Sequence, residues 1–373
     1  MCINKGRTIN YQNGANFVNG WKPFRLQKNL SLTRLASASL FLYNCGEGVM
    51  NMVDIIIPYY NAGKTINKTL ASIAMQTIEE KIHVIVVDDC SGPEDLMSNT
   101  FYNKFKNLLD IEIVRLAENG GAGVARRVGM QQGKNKYIMF IDADDTFYSA
   151  FAVEKLANEM EKHPEMDVIN SWFLEELDQE NTFARHEHDV TWVFGKIYRR
   201  SFIEENKIYF NDSRACEDCG FNAVAFNYGK HGEFQEVTYV WHNNPNSITR
   251  VDDKIYTFTC IEHFLINMEW AIRELERLDL DKEKLAVVSA KHFVLTYFYF
   301  LQFYYSEDKR YDINVFKTWV QRYYENVFKH IELKEGQLEE IYKDLAKSQG
   351  EILLTKIPPL TLYGYIEWIC KKG

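Results

Sequence analysis

No stretch of this chain reaches the roughly 18 uninterrupted apolar residues that a membrane-spanning helix needs. A basic excess is also missing: 43 Lys and Arg stand against 52 Asp and Glu, for a net charge of −9, and the cations are scattered. Without a basic footprint, nucleic acid is not an expected partner. Cysteine is sparse and odd in number, 7 residues spread from Cys2 to Cys370, which does not make a secreted disulfide framework. A reducing cytoplasm is the expected compartment. No internal repeat or low-complexity tract is visible. What is present is length, 373 residues, and 46% hydrophobic residues, enough for a catalytic domain and a smaller appended one.

Residues 1–49 stand apart, with weak periodicity and one apolar patch at Leu35–Tyr43. Basic residues before that patch faintly resemble a signal peptide, but no A-x-A-like site closes it. Gly46-Glu47-Gly48-Val49, just before Met50 and Met52, reads as a translated ribosome-binding site, so Met50 or Met52 is the expected start and 1–49 an extension outside the fold. From residue 50 to 250 strands alternate with helices. Val53–Pro58, Ile82–Val87, Ile111–Leu116 and Tyr137–Ile141 have strand length and apolar content, and Thr65–Gln76 has helical spacing. Such alternation predicts a mainly parallel, doubly wound α/β sheet. A mixed stretch follows, with a helix over Val153–Lys162 and strands near Val168–Phe173 and Glu236–Trp241. Residues 251–373 carry helical spacing over Asp253–Leu278, Asp281–Tyr305, Ile313–Ile331 and Glu335–Ser348, a C-terminal helical module.

The chain is organised around Lys136–Thr146, where an apolar run ends in Asp142, Asp144 and Asp145. Open α/β sheets place ligands at the carboxyl edge of their strands. Hard oxygen ligands one residue apart there suit Mg²⁺ or Mn²⁺ with positions left for substrate phosphates. A helix N-cap explains Asp145 but not two further carboxylates. Asp142-Ala143-Asp144-Asp145-Thr146 also fits the D-x-D-x-T loop of haloacid-dehalogenase-like phosphatases, although that loop follows the first strand of its fold and here three strand units precede it. The turn Asn119–Gly123 offers a phosphate cradle, yet lacks the Lys-Ser/Thr of a P-loop and is as well explained by the turn alone.

Five motifs then occur in one order: Val53–Asn61, Ser72–Thr77, Val86–Ser91, Asn119-Gly120-Gly121 with Ala125-Arg126, and Asp142–Asp145. In order and spacing they resemble the family 2 glycosyltransferases of the GT-A fold, over about residues 53–250. The resemblance implies a Rossmann-like GT-A domain and inverting sugar transfer from a nucleoside-diphosphate sugar, with UDP-hexose or UDP-N-acetylhexosamine the family's commonest donors. It implies that Pro58, Tyr60 and Asn61 line the base pocket, that Asp89 rather than Asp88 takes the base N–H, and that Arg126 and Gly121 hold base or diphosphate. Asp142 with Ala143 would face ribose or sugar, Lys196 would join the donor site, and Asp144 would bind the metal. Asp218 of Glu217-Asp218 would be the general base and Glu217 its orienting neighbour. That chemistry asks for a cation at the leaving diphosphate and a carboxylate on the opposite face of the sugar.

Two departures from the family stand out. His242 sits where relatives often have Arg in a segment closing over the diphosphate; it is a candidate third metal ligand or a structural histidine, with Ser247 and Thr249 as weaker phosphate contacts. Arg127 stands where Asn is common. Cys216 and Cys219 flank the proposed base without a second pair, so a zinc site is not expected. His186-Glu187-His188-Asp189 reads as a solvated loop on the acceptor side, and the aromatics of Phe293–Tyr305 as a packed helix. The acceptor implied is a glycan or lipid-linked sugar in surface-polysaccharide assembly. For the helical module three roles stay open: shaping the acceptor site, forming a homodimer, or resting on the inner membrane surface. A non-catalytic GT-A-like nucleotide-sugar-binding module is the alternative outside enzymes.

Overall fold

The computed structural model describes residues 24–25, 52–93, 100–177, 182–244, 255–348 and 358–371. Of residues 1–49 only the two-residue strand β1 (Phe24–Arg25) is among them. The parallel half of the sheet is built from β2 (Val53–Tyr59), β3 (Ile82–Asp88), β4 (Asp110–Arg115) and β5 (Tyr137–Phe140). Between them run α1 (Ile66–Ala74), α2 (Thr100–Phe105) and α3 (Ala122–Gln132). The spatial order β5-β2-β3-β4 is parallel throughout. Both faces are covered, so β2 and β3 are apolar nearly end to end: Val53, Ile55 and Ile57 enter one core layer while Ile56 enters the other.

After β5 come β6 (Thr146–Phe147), α4 (Ala152–Lys162), β7 (Val168–Glu176), β8 (Thr182–His186), β9 (Lys196–Arg199), α5 (Arg200–Glu205), α6 (Glu217–Tyr228) and β10 (His231–Trp241). Here the sheet becomes mixed. β9 inserts antiparallel between β5 and β7, β8 pairs antiparallel with β7, and β1 caps β8. β10 runs parallel to β7 and antiparallel to β6, which brings the carboxyl end of β10 back to the loop after β5.

The helical module consists of α7 (Ile255–Arg277), α8 (Lys282–Tyr304), α9 (Ile313–Asn326), α10 (Gln337–Ser348) and α11 (Leu362–Cys370), the last without a counterpart in the expected helices. Asp281, Asp312 and Thr361 cap α8, α9 and α11 with side-chain oxygens, each cap contributing about 1 kcal/mol. The helix expected to run on to Ile331 stops at Asn326 and gives way to a short 3-10 turn at Phe328–His330. Phe293, Phe298, Phe300 and Phe303 are buried, as the packed-helix reading of that segment requires. Among the described residues no helix is long and apolar enough to cross a membrane.

Candidate active site

The carboxyl ends of β2, β3 and β5 meet the N-terminal ends of α3 and α6. At β3, Asp88 and Asp89 are both buried, and each is already engaged. Asp88 accepts the Ser91 N–H at 2.9 Å and pairs with Arg115. Asp89 accepts the Gly120 N–H at 2.6 Å and the Gly121 N–H at 2.8 Å. Asp89 therefore anchors the Gly-rich turn with both of its carboxylate oxygens. Gly121 sits at φ +91°, a conformation that side chains other than glycine rarely adopt, and its turn opens α3. Asn61 locks the two loops together, its side chain accepting the Gly92 N–H at 3.0 Å and its own N–H donating to Ser91 Oγ at 3.0 Å. Tyr60 beside it is 54% exposed and free to stack, and Pro58 is half-buried.

Arg126, on the second turn of α3, connects the two acidic motifs. Its guanidinium donates to Asp142 Oδ1 and to Glu217 Oε1, both at 2.7 Å. Burial opposes its charge, but Asp142, Glu217 and Asp218 outweigh that and hold it above its usual range. Its expected contact with base or diphosphate is thus joined by a structural job. The close approach of α3 and α6 depends on Gly123, where a Cβ would lie 2.8 Å from Glu217 Cγ. Asp218 follows on α6, buried; burial first, then the charge of Glu217, lift its carboxyl to about 7, with Arg126 pulling the other way.

Around the acidic loop three carboxylates have three environments. Asp142 is about a third exposed on its side chain, and its N–H donates to the Tyr239 hydroxyl at 3.2 Å. Burial and the charge of Asp142 raise Asp144, whose Oδ2 accepts from Asn244 at 2.8 Å. Asp145 is fully buried, taking the Tyr239 hydroxyl at 2.6 Å and the His242 N–H at 2.8 Å. It latches the end of β10 to the loop, a structural role beyond helix capping. Ala143 is buried between the half-buried Asp142 and Asp144.

Two further candidates have surroundings that the sequence did not foretell. His242 has protein partners at both ring nitrogens, Glu176 at 2.9 Å from Nδ1 and the Thr146 hydroxyl at 2.8 Å from Nε2. Among the described residues no group of three or more His, Cys, Asp or Glu side chains could hold a metal ion. Asp142 and Asp144 do fit a hard divalent cation, since their mutual repulsion raises Asp144 and a positive charge would relieve it. Lys196, expected at the donor, is 1% exposed. Ser247 and Thr249 lie outside the described residues.

The sequence reading missed Glu176, Arg115, Tyr239 and Asn244, which support the site from elsewhere in the chain; none belongs to a local pattern. The His186–Asp189 stretch is also less solvated than expected. His186 is buried against Glu175 at 2.9 Å, and Asp189 is buried with its Oδ1 accepting the N–H groups of Thr191 and Trp192. Cys216 and Cys219 are free thiols, Cys216 donating to the Cys260 carbonyl at 3.7 Å.

A family model described as glycosyl transferase family 2 matches residues 54–222. EpsJ of Bacillus subtilis, described as an uncharacterized glycosyltransferase, is 27% identical over 54% of this chain and 64% of its own length. The poly(ribitol-phosphate) beta-N-acetylglucosaminyltransferase TarS of Staphylococcus aureus is 27% identical over 56% of this chain and 35% of its own. The chain therefore spans less than two thirds of each. The structure of S. aureus TarS 1-349 in complex with UDP-GlcNAc superposes with a TM-score of 0.59 and 19% identity, covering 80% of this chain and 89% of that one. At that identity the likeness is one of fold, and it includes the mixed sheet and helices beyond it.

Proposed function

We infer that the chain moves a sugar from a UDP-hexose or UDP-N-acetylhexosamine to a hydroxyl of a glycan or lipid-linked acceptor, with inversion, in surface-polysaccharide assembly; the family 2 glycosyltransferase model that matches residues 54–222 supports this reading. One observation carries this reading: Arg126 bonds both Asp142 of the D-x-D loop and Glu217, the neighbour of the buried Asp218, and so brings the two acidic motifs together. The relatives' names, a β-N-acetylglucosaminyltransferase and a β-glucosyltransferase among them, favour the same donors.

Asp218 takes the proton of the acceptor hydroxyl as its oxygen attacks the anomeric carbon, and the bond from that carbon to the diphosphate oxygen breaks. A Mg²⁺ or Mn²⁺ ion held by Asp144 and Asp142 would neutralise charge on the leaving diphosphate. Glu217 holds Arg126, and Arg126 holds Asp142, so base and donor loop stay in register. Tyr60 stacks on the base, and Asp89 keeps the Gly120–Gly121 turn in shape beside it.

A calorimetric titration of UDP with and without Mn²⁺ tests the donor site, with Asp144→Asn as control. Metal-dependent binding that the variant loses supports the reading. Absence of binding in both conditions removes it and makes a phosphatase assay the next experiment.

A further inference from the structure

The turn Asn119–Gly123 has the composition of a phosphate cradle, but two of its amides are already spoken for. The Gly120 and Gly121 N–H groups both donate to the Asp89 carboxylate, at 2.6 and 2.8 Å. Side chains are left to make up positive charge for an anionic ligand at this turn.

Four arginines stand around the turn and the helix it opens, and three of them answer to carboxylates. Arg115 pairs with Asp88, Arg127 with Asp212 at 2.6 Å, and Arg126 with both Asp142 and Glu217 at 2.7 Å. Arg126 is also buried. Arg214 is the exception. It comes from the loop before α6, it is exposed, and no carboxylate among the described residues pairs with it. Its guanidinium donates to Asn119 through both terminal nitrogens, to the side-chain oxygen from Nη1 and to the backbone carbonyl at 2.8 Å from Nη2. The side chain lies across Gly121, where a Cβ would be 3.6 Å from Arg214 Cδ and 3.9 Å from Nη1. Asn119 in turn donates from Nδ2 to the Asp89 carbonyl at 3.1 Å, so the arginine is braced against the end of β3.

We propose that Arg214 is a donor-binding residue: its guanidinium takes phosphate oxygens of the nucleoside diphosphate beside the Gly-rich turn, while Arg126 serves the protein's own carboxylates. The proposal rests on this edge being a UDP site. A guanidinium held only by neutral amide oxygens keeps its charge for a ligand, and its five donors leave N–H groups to spare after two bonds. The planar fork matches a phosphate, and in a chain of net charge −9 a polyanionic ligand depends on such local cations.

The test is a pair of calorimetric titrations on each protein, one of UDP with Mn²⁺ and one of uridine. Arg214→Met should weaken UDP by about tenfold or more, the usual worth of a charge-assisted bond, and leave uridine within about twofold. Arg214→Lys keeps the charge without the fork and should fall between. Added salt should narrow the gap between wild type and Arg214→Met for UDP, because the attraction that the variant lacks is screened. A strap that only shaped the turn would cost both ligands alike. Equal losses for UDP and uridine, or unchanged UDP binding in an Arg214→Met protein that melts like wild type, overturn the proposal. Should Arg214→Met fail to fold, Asn119→Asp gives the guanidinium a carboxylate partner in place; UDP should then weaken with uridine spared, and unchanged UDP binding overturns the proposal. The donor reading fails differently, through a wild-type protein that binds no UDP, and takes the proposal with it.

Discussion

Four acids, Asp142, Asp144, Glu217 and Asp218, meet at this edge, and the Arg126 guanidinium bonds two of them, Asp142 and Glu217. Burial first, and then the charge of a neighbouring carboxylate, lift both Asp144 and Asp218. For Asp218 the sign is fixed by its role. A base works only when ionised, so transfer should be full above its pKa and decline below about 7, nearly tenfold per pH unit once well below it. A pH profile of kcat/KM for UDP-sugar turnover reads that limb, and a flat profile down to pH 5 would contradict it. Asp218→Asn should lower turnover by about 10²- to 10⁴-fold, the usual worth of a positioned base, while UDP titrates as in wild type.

Two helix contacts set where that carboxylate stands. On one side α3 allows α6 close only because residue 123 is glycine; Gly123→Ala would place a methyl 2.8 Å from Glu217 Cγ and 3.3 Å from the Asn211 carbonyl. The variant should fold yet lose turnover, since separating the helices strains the Arg126–Glu217 bond; unchanged kcat would show the contact is idle. On the other side α7 supports the loop before α6. Asn267 is fully buried, its Nδ2 shares two N–H donors among Ser213 Oγ, the Ala215 carbonyl and the His263 carbonyl, and its Oδ1 accepts from Asn211. Asn267→Ala leaves several of these groups unpaired and should cost about 2 kcal/mol, measurable by urea unfolding. A loss within error of zero would mean that the loop re-pairs without it. The helical module thus holds the loop that leads into α6.

At the scale of the whole molecule, what could be read from sequence was whatever is written locally. The buried strands β2, β3 and β5 announce themselves as apolar runs, although β2 passes through Pro58 to Tyr59 where the sequence suggested a stop, and the helices between them show in their spacing. The pairings that finish the site span the chain: Tyr239 reaches Asp145 across 94 residues and Asn244 reaches Asp144 across 100. No periodicity encodes such contacts, and the burial of Lys196 or the occupied ring of His242 follows from them. The same holds for the boundary placed at residue 250. One apolar cluster runs from Ile56 and Phe140 of the sheet through Phe221 and Val224 of α6 to Phe264, Met268, Phe293 and Tyr365 of the helical module. Two units that share a core cannot unfold independently without exposing it, and each buried aromatic or aliphatic side chain laid bare costs about 1.5–3 kcal/mol. Calorimetry should therefore show a single cooperative transition with equal calorimetric and van't Hoff enthalpies, and saturating UDP with Mn²⁺ should raise it as one peak. Two resolved peaks, with only one moved by the nucleotide, would mean that the helices fold apart from the catalytic domain and would cut the link from Asn267 to Asp218.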